Sequence, residues 1–177
     1  MIQLFELFNK KSAMKILVFF IDNPSGEFYE TEIRKKLRIA KASSIKWLKE
    51  MVNCEFLSTR TKGRIIFYRL KSDNVLIKEL KRLKLVSSLI PELKEIRGVE
   101  IYLYGSGARG EDREESDVDL LVIGKKSDEL IEVIGRLEKK LNRRVKISSF
   151  SQLEWSKMYR KDPAFYERVE KDKIRLV

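Results

Sequence analysis

Tyr104-Gly105-Ser106-Gly107-Ala108-Arg109-Gly110 and, shortly after it, Ser116-Asp117-Val118-Asp119-Leu120-Leu121-Val122 decide how this chain is read. The apolar run Val99 to Tyr104 predicts a strand that ends on a glycine, and Val118 to Ile123 predicts a second strand. A small, polar, charged loop joins them. Gly105 has no Cβ, so a bulky phosphate can approach its backbone. Ser106 offers a hydroxyl and a backbone N–H to a phosphate oxygen. Arg109 is a permanently charged, forked donor suited to phosphate. Asp117 and Asp119 stand at i and i+2, a spacing that points both carboxylates to one face of a strand. Two hard oxygen ligands on one face suit Mg²⁺, which also takes oxygens from a nucleoside triphosphate. A metal held this way activates a hydroxyl and stabilises charge on a transferring phosphoryl group. Plainer readings stand beside these. The aspartates can open a solvated strand or pair with Arg109 or Arg113, Ser106 can be a turn serine, and Arg109 a surface ion pair.

Outward from this stretch the second half keeps alternating. Asp128 to Leu141 predicts a helix and Val145 to Phe150 a third strand. Ser151-Gln152-Leu153-Glu154 has the pattern of a capping box that opens another helix, and Ile174 to Val177 predicts a last short strand. Glu111 to Glu115 reads as a solvated loop. Strands interleaved with helices predict an α/β or α+β sheet domain over residues 98–177.

The first half is patterned differently. A helix over 12–22 has Ser12 as its cap and Ile16, Leu17, Phe19 and Phe20 on its apolar face. Asn23-Pro24-Ser25-Gly26 stops it. Phe28 and Tyr29 suit a short strand, and Thr31 caps a short helix through Leu37. A third helix runs from about Ala42 to Cys54 with Ile45, Leu48, Met51 and Val52 as its apolar set. Trp47, beside that stripe, reads as core edge. Two strands, 56–61 and 64–70, turn at Lys62-Gly63. A helix over 73–90 follows, with Leu76, Leu80 and Leu83 on one face and Pro91 as its interruption. The organisation predicted is a domain at 1–72, a linker helix within 73–97 and a domain at 98–177. The linker helix packs between the domains or forms the interface of a homodimer.

Composition narrows the chemistry. The 177 residues include 43% hydrophobic residues, one cysteine (Cys54) and no histidine. Histidine-based zinc sites and Ser-His-Asp catalysis are excluded. No apolar run is long enough to cross a bilayer and no leader pattern opens the chain, so a reducing, cytoplasmic setting is expected. The net charge is +11. Residues 1–97 carry 21 Lys and Arg against 11 Asp and Glu, and residues 98–177 carry 17 against 16. The basic excess belongs to the first half, which therefore suits a polyanion. Abundant Lys, Glu and Ile also match a thermophile's composition.

Three helices followed by a hairpin resemble a winged helix-turn-helix, with Ser43 to Leu70 as recognition helix and wing. In that resemblance Lys41, Ser43, Ser44 and Lys46 face a DNA major groove, and Arg60, Lys62 and Arg64 on the wing touch phosphates. A glycine often follows the recognition helix in such domains, and Asn53-Cys54-Glu55 takes its place here. The second half is similar to the nucleotidyltransferase superfamily that includes DNA polymerase beta, above all to its minimal members. Gly105-Ser106, Ala108-Arg109-Gly110 and Asp117-Val118-Asp119 reproduce that pattern in order. The resemblance implies Gly105, Ser106 and Arg109 on a triphosphate and Asp117 and Asp119 on catalytic Mg²⁺. Active members add a third carboxylate on a neighbouring strand, and Lys146 in Arg144-Val145-Lys146-Ile147 stands at the matching place. The functions implied are a DNA-binding, transcription-regulating protein that binds Mg-nucleotide, an antitoxin-type transferase acting on a hydroxyl of a protein, RNA or small molecule, or a domain that has kept only the fold. Lys146 then serves the triphosphate in place of a second metal, or another acid such as Glu154 completes the site.

Overall fold

The computed structural model describes residues 4–125 and 128–177. The chain divides into two compact units, Met1–Ile77 and Lys78–Val177. Both mix helices with sheet, the α+β class expected from the sequence.

The first unit runs α1 (Leu4–Phe8), α2 (Lys11–Asp22), β1 (Glu27–Tyr29), α3 (Glu30–Leu37), α4 (Lys41–Asn53), β2 (Leu57–Lys62) and β3 (Ile65–Leu70). Its sheet has the order β1-β3-β2, antiparallel throughout. Ile16, Leu17 and Phe20 of α2 bury with Ile33, Leu48, Met51 and Phe56. The expected helix caps are displaced. Lys10 stands at the N-cap of α2, with Ser12 inside the helix. Tyr29 stands at the N-cap of α3, and the Thr31 hydroxyl donates to Glu30 instead. The tight turn is Gly63-Arg64, with Gly63 at φ 60°. After α4 the left-handed residue is Glu55, at φ 59°.

The largest correction in this unit is the rotation of α4. The sequence put Ile45 in its apolar stripe, yet Ile45 is 50% exposed. The buried set is Ser44, Trp47, Leu48 and Met51, an i, i+3, i+4, i+7 stripe begun one residue earlier. A serine can begin it because its hydroxyl is satisfied: Ser44 Oγ donates to the Glu30 carboxylate and lies 2.9 Å from the Lys41 carbonyl. Trp47 lies at the core edge as expected.

The helix α5 (Val75–Leu93) crosses the division, and its residues from Lys78 onward belong to the second unit. The expected apolar face is not the buried one. Leu83 is 63% exposed, whereas Lys81, Leu85, Leu89 and Leu93 are buried at four-residue spacing. The helix also continues through Pro91. Proline costs one backbone bond there, but Leu93 beyond it is fully buried and holds the last turn to the core.

The second unit continues with β4 (Val99–Tyr104), α6 (Gly105–Arg109), β5 (Val118–Gly124), α7 (Asp128–Leu141), β6 (Val145–Phe150), α8 (Gln152–Lys161), α9 (Pro163–Asp172) and β7 (Ile174–Arg175). The sheet order is β6-β5-β4-β7, with β5 and β6 parallel and the other pairs antiparallel. Alternation along β5 separates two cores. Val118, Leu120 and Val122 pack with Leu85, Leu89 and Leu93 of α5 and Leu130, Val133 and Leu137 of α7. Leu121 and Ile123 face the other way, into an aromatic cluster of Tyr104, Trp155 and Met158 with Phe150, Phe165 and Tyr166. The capping box at Ser151 forms as the sequence predicts, with Ser151 and Glu154 bonded to each other's backbone N–H.

Candidate functional site

The alternation that sorts the two cores also aims the carboxylates. Asp119 shares the sheet face of Leu121 and Ile123, the side covered by α8 and α9, and Asp117 shares it by the same period. On the flanking parallel strand Val145 and Ile147 point into the opposite core, so Lys146 is presented to the carboxylate face. In register, Asp119 pairs with Tyr104 on one side and with Lys146 on the other. Gly105 follows Tyr104 directly. Its φ is 72°, and a Cβ there would stand 2.8 Å from Asp119 Oδ2. The Gly105 turn therefore meets Asp119 at one end of the sheet face that Asp117 shares by its i, i+2 spacing. The Gly-Ser segment is a single helical turn, not an open loop.

The electrostatics are specific. Lys146 Nζ lies 2.5 Å from Asp117 Oδ2. The hydrogen bond from Lys146 holds the Asp117 carboxyl below its ordinary range, and Asp117 in turn holds the Lys146 ammonium above its own. Asp119 is different. Burial pushes its carboxyl up, against the pull of Lys146, Arg168 and Arg109. Arg109 Nε donates to Glu111 at 2.8 Å and Nη1 donates to Asp172 at 2.6 Å. Lys78 reaches the same Glu111 at 2.8 Å. Chiefly through Arg109, the Glu111 carboxyl is held down at about 2. Arg109 thus takes the ion-paired role that the sequence also allowed, at the rim of the site.

Sequence reasoning missed two contributors from α9. Asp172 pins Arg109, and Arg168 stacks on Phe165, 5.4 Å from the ring centroid to the guanidinium carbon. The only local signal was the start of their helix, where Asp162 caps a proline at the first turn. The loop read as solvated holds a further correction. Asp112 is buried and joins Lys81 at 3.4 Å and Arg143 at 2.6 Å. Arg143 Nε also donates to the Ser116 carbonyl at 2.8 Å, which fixes the approach to Asp117. Glu154 is held in its capping box by Ser151.

The donor set does not fit a resident divalent cation as it stands. Asp117 and Asp119 supply hard oxygens, but the Lys146 ammonium already holds an Asp117 oxygen. Among the described residues no group of three His, Cys, Asp or Glu is placed to hold a metal ion.

In the first unit Lys41, Lys46, Arg60, Lys62 and Arg64 are all exposed, and Ser43 is half-buried. Ser44 is withdrawn from the outward set, being fully buried and bonded to Glu30. Lys46 lies over the Trp47 ring at 4.9 Å and Lys62 over Phe67 at 5.5 Å.

A family model described as "Nucleotidyltransferase domain" matches residues 86–176. No curated protein matches the chain. Three solved structures are similar in part. A toxin–antitoxin crystal structure with AMP-PNP shares 21% identity over 52% of this chain and 72% of its own, with a TM-score of 0.38. A provisionally assigned nucleotidyltransferase from Sulfolobus solfataricus shares 21% over 55% of this chain and 84% of its own, at 0.31. TrmBL2, an archaeal chromatin protein with a novel mode of DNA binding, shares 15% over 94% of this chain and 74% of its own, at 0.33. At such scores these likenesses support no inference about this chain. No helix among the described residues is long and apolar enough to cross a membrane.

Proposed function

Because this chain belongs to the nucleotidyltransferase domain family, we propose that its second unit binds a nucleoside triphosphate at the Gly105-Ser106 turn while its first unit binds double-stranded DNA. The observation that carries the nucleotide half is the meeting of Gly105 with Asp119 on the face that also presents Lys146 and Arg168. Gly105 keeps the turn free of a side chain, Ser106 supplies its hydroxyl and N–H, and the basic groups balance phosphate charge. Transfer chemistry is outside this reading, because an ammonium stands at Asp117 where a third carboxylate would be required. The nucleotide is then a signal that the protein reads. The DNA half rests on five exposed cations spread over α4 and the β2–β3 hairpin, in the half of the chain that carries the charge excess.

Calorimetry with ATP, GTP, CTP and UTP tests the nucleotide half, comparing the wild type with Ser106→Glu. A carboxylate at residue 106 repels phosphate from the turn. Binding of at least one nucleotide by the wild type, weakened about tenfold or more in Ser106→Glu, is the expected result. No binding of any of the four, or equal binding by the variant, overturns the assignment.

A further inference from the structure

We propose that Lys146 is a tethered cation occupying the divalent-ion position at the aspartate pair, so that the site takes a triphosphate without a metal. The proposal rests on the nucleotide reading above and specifies how that site meets its ligand.

Three observations support it. The first is position. Lys146 is the parallel-register neighbour of Asp119, and its Nζ lies 2.5 Å from Asp117 Oδ2, so the ammonium pairs with one carboxylate of the pair beside the other. A Mg²⁺ ion bound through Asp117 Oδ2 would sit about 2.1 Å from that oxygen. The two cations would share one acceptor at short range and repel each other. The second is direction. Val145 and Ile147, on either side of Lys146, are packed into the opposite core. Lys146 cannot leave the carboxylate face without a register slip that would expose both of them. The third is spare capacity. An ammonium has three donors and Asp117 occupies one. The side chain remains half exposed, so its other donors are open to ligand oxygens. A compact point charge of this kind suits the phosphates of a triphosphate, which a divalent ion would otherwise neutralise.

The test compares wild type, Lys146→Asp and Lys146→Met in two assays. The first titrates Mn²⁺ alone, followed by electron paramagnetic resonance. The second measures triphosphate affinity with Mg²⁺ and with EDTA. In the first assay the wild type should hold no Mn²⁺ and Lys146→Asp should hold one ion. In the second, EDTA should change the wild-type affinity by less than about threefold. Lys146→Asp should lose about tenfold or more in EDTA, and Lys146→Met should be weakened about tenfold with or without Mg²⁺. Tight Mn²⁺ binding by the wild type, or none by Lys146→Asp, overturns the proposal. So does wild-type nucleotide binding that EDTA abolishes, although the nucleotide reading would then survive. If no variant binds nucleotide, that reading falls, and the Mn²⁺ titration still decides whether Lys146 keeps the metal out.

Discussion

Gly105 and Asp119 stand so close that a Cβ on Gly105 would lie 2.8 Å from Asp119 Oδ2. The contact crosses from the end of β4 to β5, one residue beyond the register pair Tyr104 and Asp119. Gly105 also sits at φ 72°, where an L side chain costs about 1–2 kcal/mol. Gly105→Ala meets both penalties. Asp119 can swing part of the way, since the atom it offers is the end of a side chain, but doing so moves a carboxylate of the site. We expect Gly105→Ala to lower stability by about 1–2 kcal/mol in urea unfolding. It should weaken triphosphate binding by about tenfold or more in calorimetry. A variant with native stability and native affinity would show that the close approach has no role.

Asp119 carries a cost that removing its charge should relieve. Burial raises its carboxyl above the ordinary range. Through the window just above the ordinary carboxyl pKa the folded chain keeps a proton that the unfolded chain releases. Stability therefore falls as pH rises through that window, and the cost is fully present above the raised value. Asp117 has the opposite sign, because Lys146 lowers its pKa. Its contribution is present at neutral pH and is lost as pH falls through its depressed value. Asp119→Asn should raise Tm by about 2 °C at pH 7, allowing for partial exposure. The gain should vanish once the pH drops below the carboxyl range. A variant less stable than wild type at pH 7 would mean that its cationic neighbours outweigh burial.

Asp112 shows what the sequence hid. Its neighbours Glu111, Arg113, Glu114 and Glu115 make the segment look like solvated loop, and no local pattern marks one acid among them as buried. Its partners, Lys81 and Arg143, stand 31 residues away on either side, so only the fold unites them. Removing one member of a buried ionic group leaves the others uncompensated, at about 3–5 kcal/mol. Asp112→Ala should therefore cost about 3 kcal/mol in chemical denaturation of the second unit. It should also loosen the Ser116 carbonyl held by Arg143 and weaken nucleotide binding without touching the ligand. A loss below about 1 kcal/mol would place Asp112 among ordinary surface acids.

What was legible followed the periods of the chain. The strand Val99–Tyr104, the helix Asp128–Leu141, the strand Val145–Phe150 and the capping box at Ser151 all lie where apolar repeats and cap chemistry place them. Asp117 and Asp119 share a face because a strand's period is two. The failures share a cause. Serine at position 44 looks polar, so the sequence begins the stripe of α4 at Ile45, and Glu30, fourteen residues back, together with the Lys41 carbonyl, explains why Ser44 can be buried. Leu76 and Leu83 look like a helix seam, yet α5 buries Ile77, Lys81, Leu85, Leu89 and Leu93, and the last three are chosen by the sheet they cover. Arg168 and Asp172 reach the site only because the aromatic cluster docks α9 beside it.

The same distinction between buried and exposed residues sharpens the test of DNA binding. Each phosphate neutralised by a lysine or arginine adds about 0.9 to the slope of log affinity against log salt. Lys41, Lys46 and Lys62 are exposed, so the triple alanine variant should flatten that slope by about 2–3 in fluorescence anisotropy on a duplex. Ser44 supplies the internal control. Its hydroxyl is spent on Glu30 and Lys41, so Ser44→Ala should cost about 1 kcal/mol of stability and leave the salt slope unchanged. A slope unchanged by the triple variant, or no duplex binding at low salt, would take DNA away from this surface. A slope changed by Ser44→Ala alone would mean that α4 turns a different face to DNA from the one its buried stripe defines.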